Sequence, residues 1–351
     1  MRRLLLENRI LPFRERSIAS RSSMDKFRLV MNFLSQSLRT ISVLPVLTLC
    51  LQAAELNRPK SELLTIENKA VKIGIDRAMG ASITWLSWQA HPENIINIHD
   101  PGRLLQQSYY AGKNLDRHAE GQSKHWSPWS WNPIQGGGVN SWARVSVFKK
   151  THDGGLYAET IPKLWDMPDE EAAAVMRQIC RFEPDMPNVI QVHNRLICKR
   201  KPGDRWGAAV PRHQELPACY FTRQFENYAM YLGGGRWETV TQAPGPPWGK
   251  AHPKLNAMAC FNEQGQGVGL FCPVATHHWN FGPVGKPNPS AKPTDNPCVH
   301  MAPIALVRMG PQTTLEYRYW LVVGNRDEMV AGFDALLKKY KDEKMKITDP
   351  D

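Results

Sequence analysis

Alternation of apolar and polar residues at period two restricts most of this chain to β-sheet. In Val189-Ile-Gln-Val-His-Asn-Arg-Leu-Ile-Cys198, Ile190, Val192, Asn194 and Leu196 share one face. His193 and Arg195 then point to the other, because successive strand side chains alternate. The preceding run, Ala172–Phe182, is joined to it by Glu183-Pro-Asp-Met-Pro-Asn188, a turn-forming sequence, so the two predict a hairpin. Val71, Ile73 and Ile75 repeat the pattern, followed by a turn at Asp76–Gly80 and a second run, Ala81–Trp88. Further alternation falls at 143–148, 155–159, 256–262, 267–273 and 314–323. The 27 prolines and 25 glycines are spread among these runs as turn markers. One helix is expected, from about Arg326 to Tyr340. The predicted fold is all-β, a large antiparallel β-sandwich with a short C-terminal helix.

The first 54 residues stand apart. They carry nine Lys/Arg against three Asp/Glu, so +6 of the formal +11 net charge lies there and +5 on the rest. The basic residues precede an apolar run, Ile41–Leu51, and then Gln52-Ala-Ala54. That order is the pattern of a secretory signal. Met24 or Met31 is an alternative start. The run is short for a stable membrane span. Lipid anchoring through Cys50 is disfavoured, because Leu-Thr-Leu before it lacks the small residue such signals carry. The expected organisation is a signal region at 1–54, a linker at 55–62, one sandwich domain at 63–342 and a polar tail at 343–351. A periplasmic or secreted location follows. The body has no clustered basic run, which argues against nucleic acid as a partner. Its six cysteines permit disulfides or buried free thiols, and the sequence does not choose.

Two polar clusters break the strand pattern. The first runs from His99 to Gly112 and holds His99, Asp100, Arg103, Gln106, Gln107, Tyr109 and Tyr110. Such a density of hydrogen-bonding and aromatic groups suits a carbohydrate cleft. The second, Arg212-His213-Gln214-Glu215, precedes an apolar stretch. Between them, residues 113–142 read as a long irregular loop. Its Trp126, Trp129 and Trp131 serve either as sugar-stacking platforms or as plugs at the end of a sandwich. Residues 282–300 read as an exposed loop.

Acid–base work on a sugar ring needs a proton donor and an acceptor beside it. His213, Glu215, His193 and Tyr110 are the candidate catalytic residues. The candidate substrate-binding residues are His99, Asp100, Arg103, Gln106, Gln107, Tyr109, Trp129, Trp131, Gln135 and Arg212. Arg103 or Arg212 would pair with a uronate carboxylate. Asp100 equally suits turn initiation at Pro101-Gly102, with Arg103 as its partner. A metal is not expected: His277 and His278, as strand neighbours, would face opposite sides, and His99, His118 and His125 show no ligand spacing. No cofactor is expected.

Gly80-Ala-Ser-Ile83 before Trp85-Leu86, the early Gly102-Arg103, and Leu315-Glu-Tyr-Arg-Tyr-Trp-Leu321 before a helix resemble the galactose-mutarotase-like superfamily. The chain is also similar to exported β-sandwich proteins that carry its His-Asp-Pro-Gly-Arg and Gln-Glu-Leu-Pro-Ala stretches. The superfamily resemblance implies a β-sandwich and carbohydrate chemistry, with sugar epimerases and polysaccharide lyases as the enzyme types. It departs from the mutarotases around their catalytic histidine. Here His193 precedes Asn-Arg-Leu and His213 precedes Gln-Glu, while Glu316 stands near the position of a late acidic base. An exported carbohydrate-active enzyme of lyase or epimerase type, acting on a sugar or an acidic polysaccharide, is the leading expectation. Glycoside hydrolysis by Asp100 and Glu215 is less favoured. A non-catalytic carbohydrate-binding or cell-envelope structural protein is the alternative.

Overall fold

A computed structural model describes residues 59–286 and 290–349. The expected signal region, and the linker up to residue 58, lie outside the described residues.

Two antiparallel sheets carry the fold. The larger has ten strands, in the order 144–150, 156–161, 174–182, 189–198, 314–325, 266–271, 257–261, 227–233 and 236–240, with 346–348 added to 314–325. The smaller has seven, in the order 163–164, 133–134, 106–108, 210–222, 298–309, 279–284 and 249–251. The first three strands, Leu63–Glu67, Val71–Asp76 and Ser82–Trp88, form their own meander.

Period two decides what each face touches. Along Thr314–Asn325, Leu315, Tyr317, Tyr319, Leu321 and Val323 join the main core with Val192 and Leu196 of one sheet and Phe221, Met301 and Val307 of the other. The alternate residues Trp320 and Val322 face outward and meet Met329, Phe333 and Leu336 of the helix Arg326–Tyr340. Asn325 caps that helix, accepting from the Glu328 N–H while Glu328 reaches back to the Asn325 N–H. This satisfies otherwise unpaired donors of the first turn.

The predicted hairpins and helix are present, and Ile190, Val192, Asn194 and Leu196 are the inward face of their strand. Three stretches differ from expectation. Residues 282–300, read as an exposed loop, supply the end of strand Trp279–Val284 and the start of the central strand Cys298–Met309. Residues 113–142 contain short strands at Trp129–Trp131, Pro133–Ile134, Gly137–Gly138 and Ser141–Trp142, too brief to show a period. Within the tail at 343–351, Lys346–Thr348 pairs with Thr314–Glu316. All six cysteines of the body are buried free thiols.

Candidate active site

The site lies on the seven-stranded sheet, where Val210–Thr222 runs between Gln106–Ser108 and Cys298–Met309. A register shift between Glu215 and Cys219 interrupts this strand. Before the shift, His213 and Glu215 face the cleft; after it, Ala218 and Tyr220 do. One extra residue reverses strand parity, so a single strand supplies an acidic group and an aromatic wall to the same hollow.

Two adjoining hollows make up the cleft. The first, about 320 Å³, is lined by Arg103, Tyr110, Trp126, Trp129, Trp165, Glu215, Tyr220 and Trp248, among others. The second, about 470 Å³, shares Tyr110, Trp129, Glu215 and Trp248 and adds Arg212, His213, Asn280, Ile304 and Leu306. Trp126 stands 5.2 Å from Trp129 and 5.7 Å from Trp165, centroid to centroid, forming an aromatic wall. Gly102 permits this wall: a Cβ there would stand 2.6 Å from the Trp165 ring. Trp248 contributes from the loop before Gly249–Ala251.

Behind the junction, buried beneath Tyr220, Trp248 and Glu215, sits a group absent from the sequence-based set, His300. It is fully buried, 4.5 Å from both the Tyr220 and the Trp248 ring centroids. Its Nδ1 lies 3.2 Å from the Cys219 carbonyl, which can only accept, so Nδ1 carries a proton. Its Nε2 lies 3.4 Å from Glu215 Oε1. The contact lacks hydrogen-bond geometry, so among the described residues Nε2 has no hydrogen-bond partner and stands as a buried polar atom behind a carboxylate that opens to the cleft. Tyr110 is adjacent; burial, and then the Glu215 charge, raise its pKa far above the ordinary phenol value, so its hydroxyl keeps its proton. Gln214 fixes Tyr110 through two 2.8 Å hydrogen bonds, accepting from its N–H and donating to its C=O.

Of the predicted residues, Arg103, Tyr110, Glu215, His213, Arg212, Trp129 and Asp100 line the cleft. Several of these also serve the frame. Asp100 accepts from the Gly102 N–H at 2.9 Å and pairs with Arg103 at 3.2 Å, the turn arrangement the sequence also allowed. Arg212 donates to the Gly112 carbonyl and to Asn114.

The others lie elsewhere. Gln106, Gln107, Tyr109, Gln135 and Trp131 are buried away from the cleft. The glutamines satisfy backbone groups: Gln106 donates to the Pro101 carbonyl, Gln107 to that of Arg177 and Gln135 to that of Ala81. Tyr109 donates to Gln107, and Trp131 lies under the Arg200 guanidinium. His99 contacts the Thr294 carbonyl at 2.9 Å. His193 is on the ten-stranded sheet, 3.0 Å from Glu316, in a separate groove of about 750 Å³. Glu316 also faces Arg195 at 3.7 Å, and the same groove holds the Arg318–Glu343 pair. It has no tryptophan in its lining, so it is the weaker candidate despite its size.

His277 and His278 also differ from expectation. They precede strand Trp279–Val284 rather than lying in it, so strict alternation does not apply, and their ring centroids are 4.7 Å apart. Among the described residues, no three His, Cys, Asp or Glu side chains are arranged to hold a metal ion.

The local sequence signal for His300 lies in Cys298–Met309, where Val299, Met301, Ala305 and Val307 face the core. That alternation puts His300, Ile304 and Leu306 together on the opposite face.

No protein-family profile and no curated protein matches the sequence. Among solved structures, the chain is similar to a protein provisionally assigned as an aldose 1-epimerase from Escherichia coli K12. Their identity is 10% and the TM-score 0.43, over 75% of this chain and 99% of that one. It is also similar to heparan sulfate lyase from Pedobacter heparinus, at 9% identity and TM-score 0.37, over 77% of this chain and 36% of that one. A third similar structure, from Klebsiella pneumoniae subsp. pneumoniae MGH 78578, has 11% identity and TM-score 0.45, over 81% of this chain and 85% of that one. It too is provisionally assigned as an aldose 1-epimerase.

Proposed function

We propose that this protein is a carbohydrate-active enzyme of lyase or epimerase type, working on a sugar held in the tryptophan-walled cleft. The observation that carries the reading is the Glu215–His300 pair, 3.4 Å apart, at the junction of two hollows lined by Trp126, Trp129, Trp165 and Trp248. Aromatic faces bind the apolar faces of sugar rings, while polar groups between them fix orientation. Glu215 is the base, accepting a proton from the ring or its hydroxyl. Tyr110, whose hydroxyl stays protonated, is the donor on the adjoining side. His300, held by the Cys219 carbonyl, stands behind Glu215 with its Nε2 3.4 Å from the carboxylate. Arg212, at the edge of the second hollow, extends the reading to acidic polysaccharides. Action in the periplasm or outside the cell is supported by the signal pattern at 1–54. No helix among the described residues is long and apolar enough to cross a membrane.

The test is a panel of neutral and acidic oligosaccharides, followed by tryptophan fluorescence for binding. Anomeric NMR and unsaturated-uronate absorbance follow turnover. Glu215→Gln should lower turnover by at least about a hundredfold, the scale of general acid–base catalysis, with binding retained. Turnover unchanged in both Glu215→Gln and Tyr110→Phe would refute these roles. Binding without product on any glycan would favour the alternative reading, a carbohydrate-binding module, which the tryptophan wall alone would support.

A further inference from the structure

Four histidines gather beside the second hollow. His213 lies 4.7 Å from His277 and 5.4 Å from His278, ring centroid to centroid, and His277 lies 4.7 Å from His278. His252 is 6.2 Å from His278. They come from three separate segments: His213 from strand Val210–Thr222, His277 and His278 from the approach to Trp279–Val284, and His252 from just beyond Gly249–Ala251. Lys250 stands opposite Asn280 in the strand pairing. The Asn280 side chain in turn contacts His278 at 3.1 Å.

The charged and titratable groups around the cluster are Lys250 and His252 from the strand Gly249–Ala251 and its end, and Arg212, His213 and Glu215 from the strand Val210–Thr222. The Cys298–Met309 strand presents Ile304 and Leu306 to the same hollow, so it adds no charge. The one carboxylate in that hollow, Glu215, already has His300 as its partner. Protonating the four imidazoles therefore builds up positive charge beyond what that single carboxylate can match. His213 and His278, the latter buried, have pKa values below the ordinary imidazole value, through burial first and then the charges of neighbouring histidines and Lys250. They are largely neutral at neutral pH and gain charge on acidification; an anion placed among them would favour the charged form.

We infer that the histidine cluster is a proton-gated subsite for the carboxylate or sulfate of an acidic sugar, reached from the second hollow, which His213 and Glu215 line together. The inference rests on the carbohydrate reading and adds a substrate class and a direction of pH response. Acidic glycan binds more tightly as pH falls through the range where these imidazoles take up protons. A neutral glycan feels only the aromatic walls and shows no such gain.

Calorimetric titration of the full chain with tetragalacturonate, a heparin-derived tetrasaccharide and fully methyl-esterified tetragalacturonate tests this at about pH 5.5 and pH 8. These bracket the ordinary imidazole range while sugar carboxylates and sulfates stay ionised. The expected result is about tenfold tighter binding of an acidic probe at the lower pH, from two or three gained ion pairs at a partly exposed site, with the ester unchanged. His277→Gln, at an exposed position, and His278→Gln, which retains an amide for Asn280, should each flatten the pH response while leaving ester binding intact. Acidic and esterified probes binding with the same pH profile would overturn the subsite and leave the cleft reading standing. Failure of all three probes would count against both. A pH response abolished by EDTA would overturn proton gating in favour of a metal at the cluster.

Discussion

Replacing Gln107 with leucine separates a structural role from a binding one. Gln107 is fully buried; its Oε1 accepts from the Tyr109 hydroxyl at 2.9 Å and its Nε2 donates to the Arg177 carbonyl at 3.1 Å. Leucine has a similar volume but pairs neither group. A buried polar group left unpaired costs about 1–3 kcal/mol. Tyr109 retains a long contact to the Tyr317 hydroxyl, 3.5 Å, which softens its share. The added apolar surface returns part of the loss, so the net expectation is about 2–4 kcal/mol of lost stability. At about 2–4 °C per kcal/mol for a domain of this class, Tm falls by roughly 4–16 °C. Thermal and urea unfolding of the full chain measure both quantities. Tyr109→Phe in the same background should be less than additive, with coupling of about 0.5–3 kcal/mol, because the two side chains share one bond. Stability within about 0.5 kcal/mol of the parent, together with weakened oligosaccharide binding, would refute this reasoning and return Gln107 to the cleft wall.

Glu183 makes stability depend on acid. Burial pushes its pKa up, but hydrogen bonds from Lys339, Tyr340 and Trp320 outweigh that and hold it below the ordinary carboxylate value. A lowered folded-state pKa stabilises the fold above the unfolded value, near 4.5, and this contribution is lost as pH falls through the folded one. Urea midpoints should drop between about pH 5 and pH 3, and Glu183→Gln should flatten that drop while costing about 1–3 kcal/mol at pH 7. Gly269→Ala should cost about 1–3 kcal/mol in the same assay, because its Cβ would stand 2.5 Å from Phe333 and push the helix off the sheet. A neutral result there would mean that the helix seats with slack.

The hairpins were legible because period two reports burial directly. Ile190, Val192 and Leu196 on one side and His193 and Arg195 on the other needed no long-range information. The cleft was legible in part for the same reason: His213 and Glu215 are two residues apart, so they share a strand face. Tyr110 and Arg103 reach that face through contacts distant in sequence. The amide-rich stretch is placed differently from expectation because a buried glutamine and a ligand-binding glutamine look alike in sequence. Gln106, Gln107 and Gln135 fill hydrogen-bonding positions where short strands leave carbonyls and N–H groups without ladder partners, a need visible only after the chain is folded. His300 was hidden for a different reason. Its strand begins directly after a Pro- and Asn-rich stretch, which obscured the alternation that gives it a place.

The break in the Val210–Thr222 strand ties these observations together. Gln214 and Leu216 are buried on one side of that strand, and in a regular strand Ala218 and Tyr220 would follow them inward. Instead Cys219 and Phe221 occupy the core, and Ala218 and Tyr220 face the cleft. The shift is what brings Tyr220 over His300 at 4.5 Å, while Glu215, on the other side of the irregularity, approaches the same imidazole at 3.4 Å. Neither contact follows from uninterrupted alternation, because Glu215 and Tyr220 are five residues apart and would take opposite faces. The Glu215–His300 contact and the wall that buries it therefore depend on one irregularity in the pattern that defines the rest of the fold. The polar work divides accordingly. Gln107 ties the smaller sheet to Arg177 of the larger, and the cleft takes its chemistry from the place where the strand departs from period two.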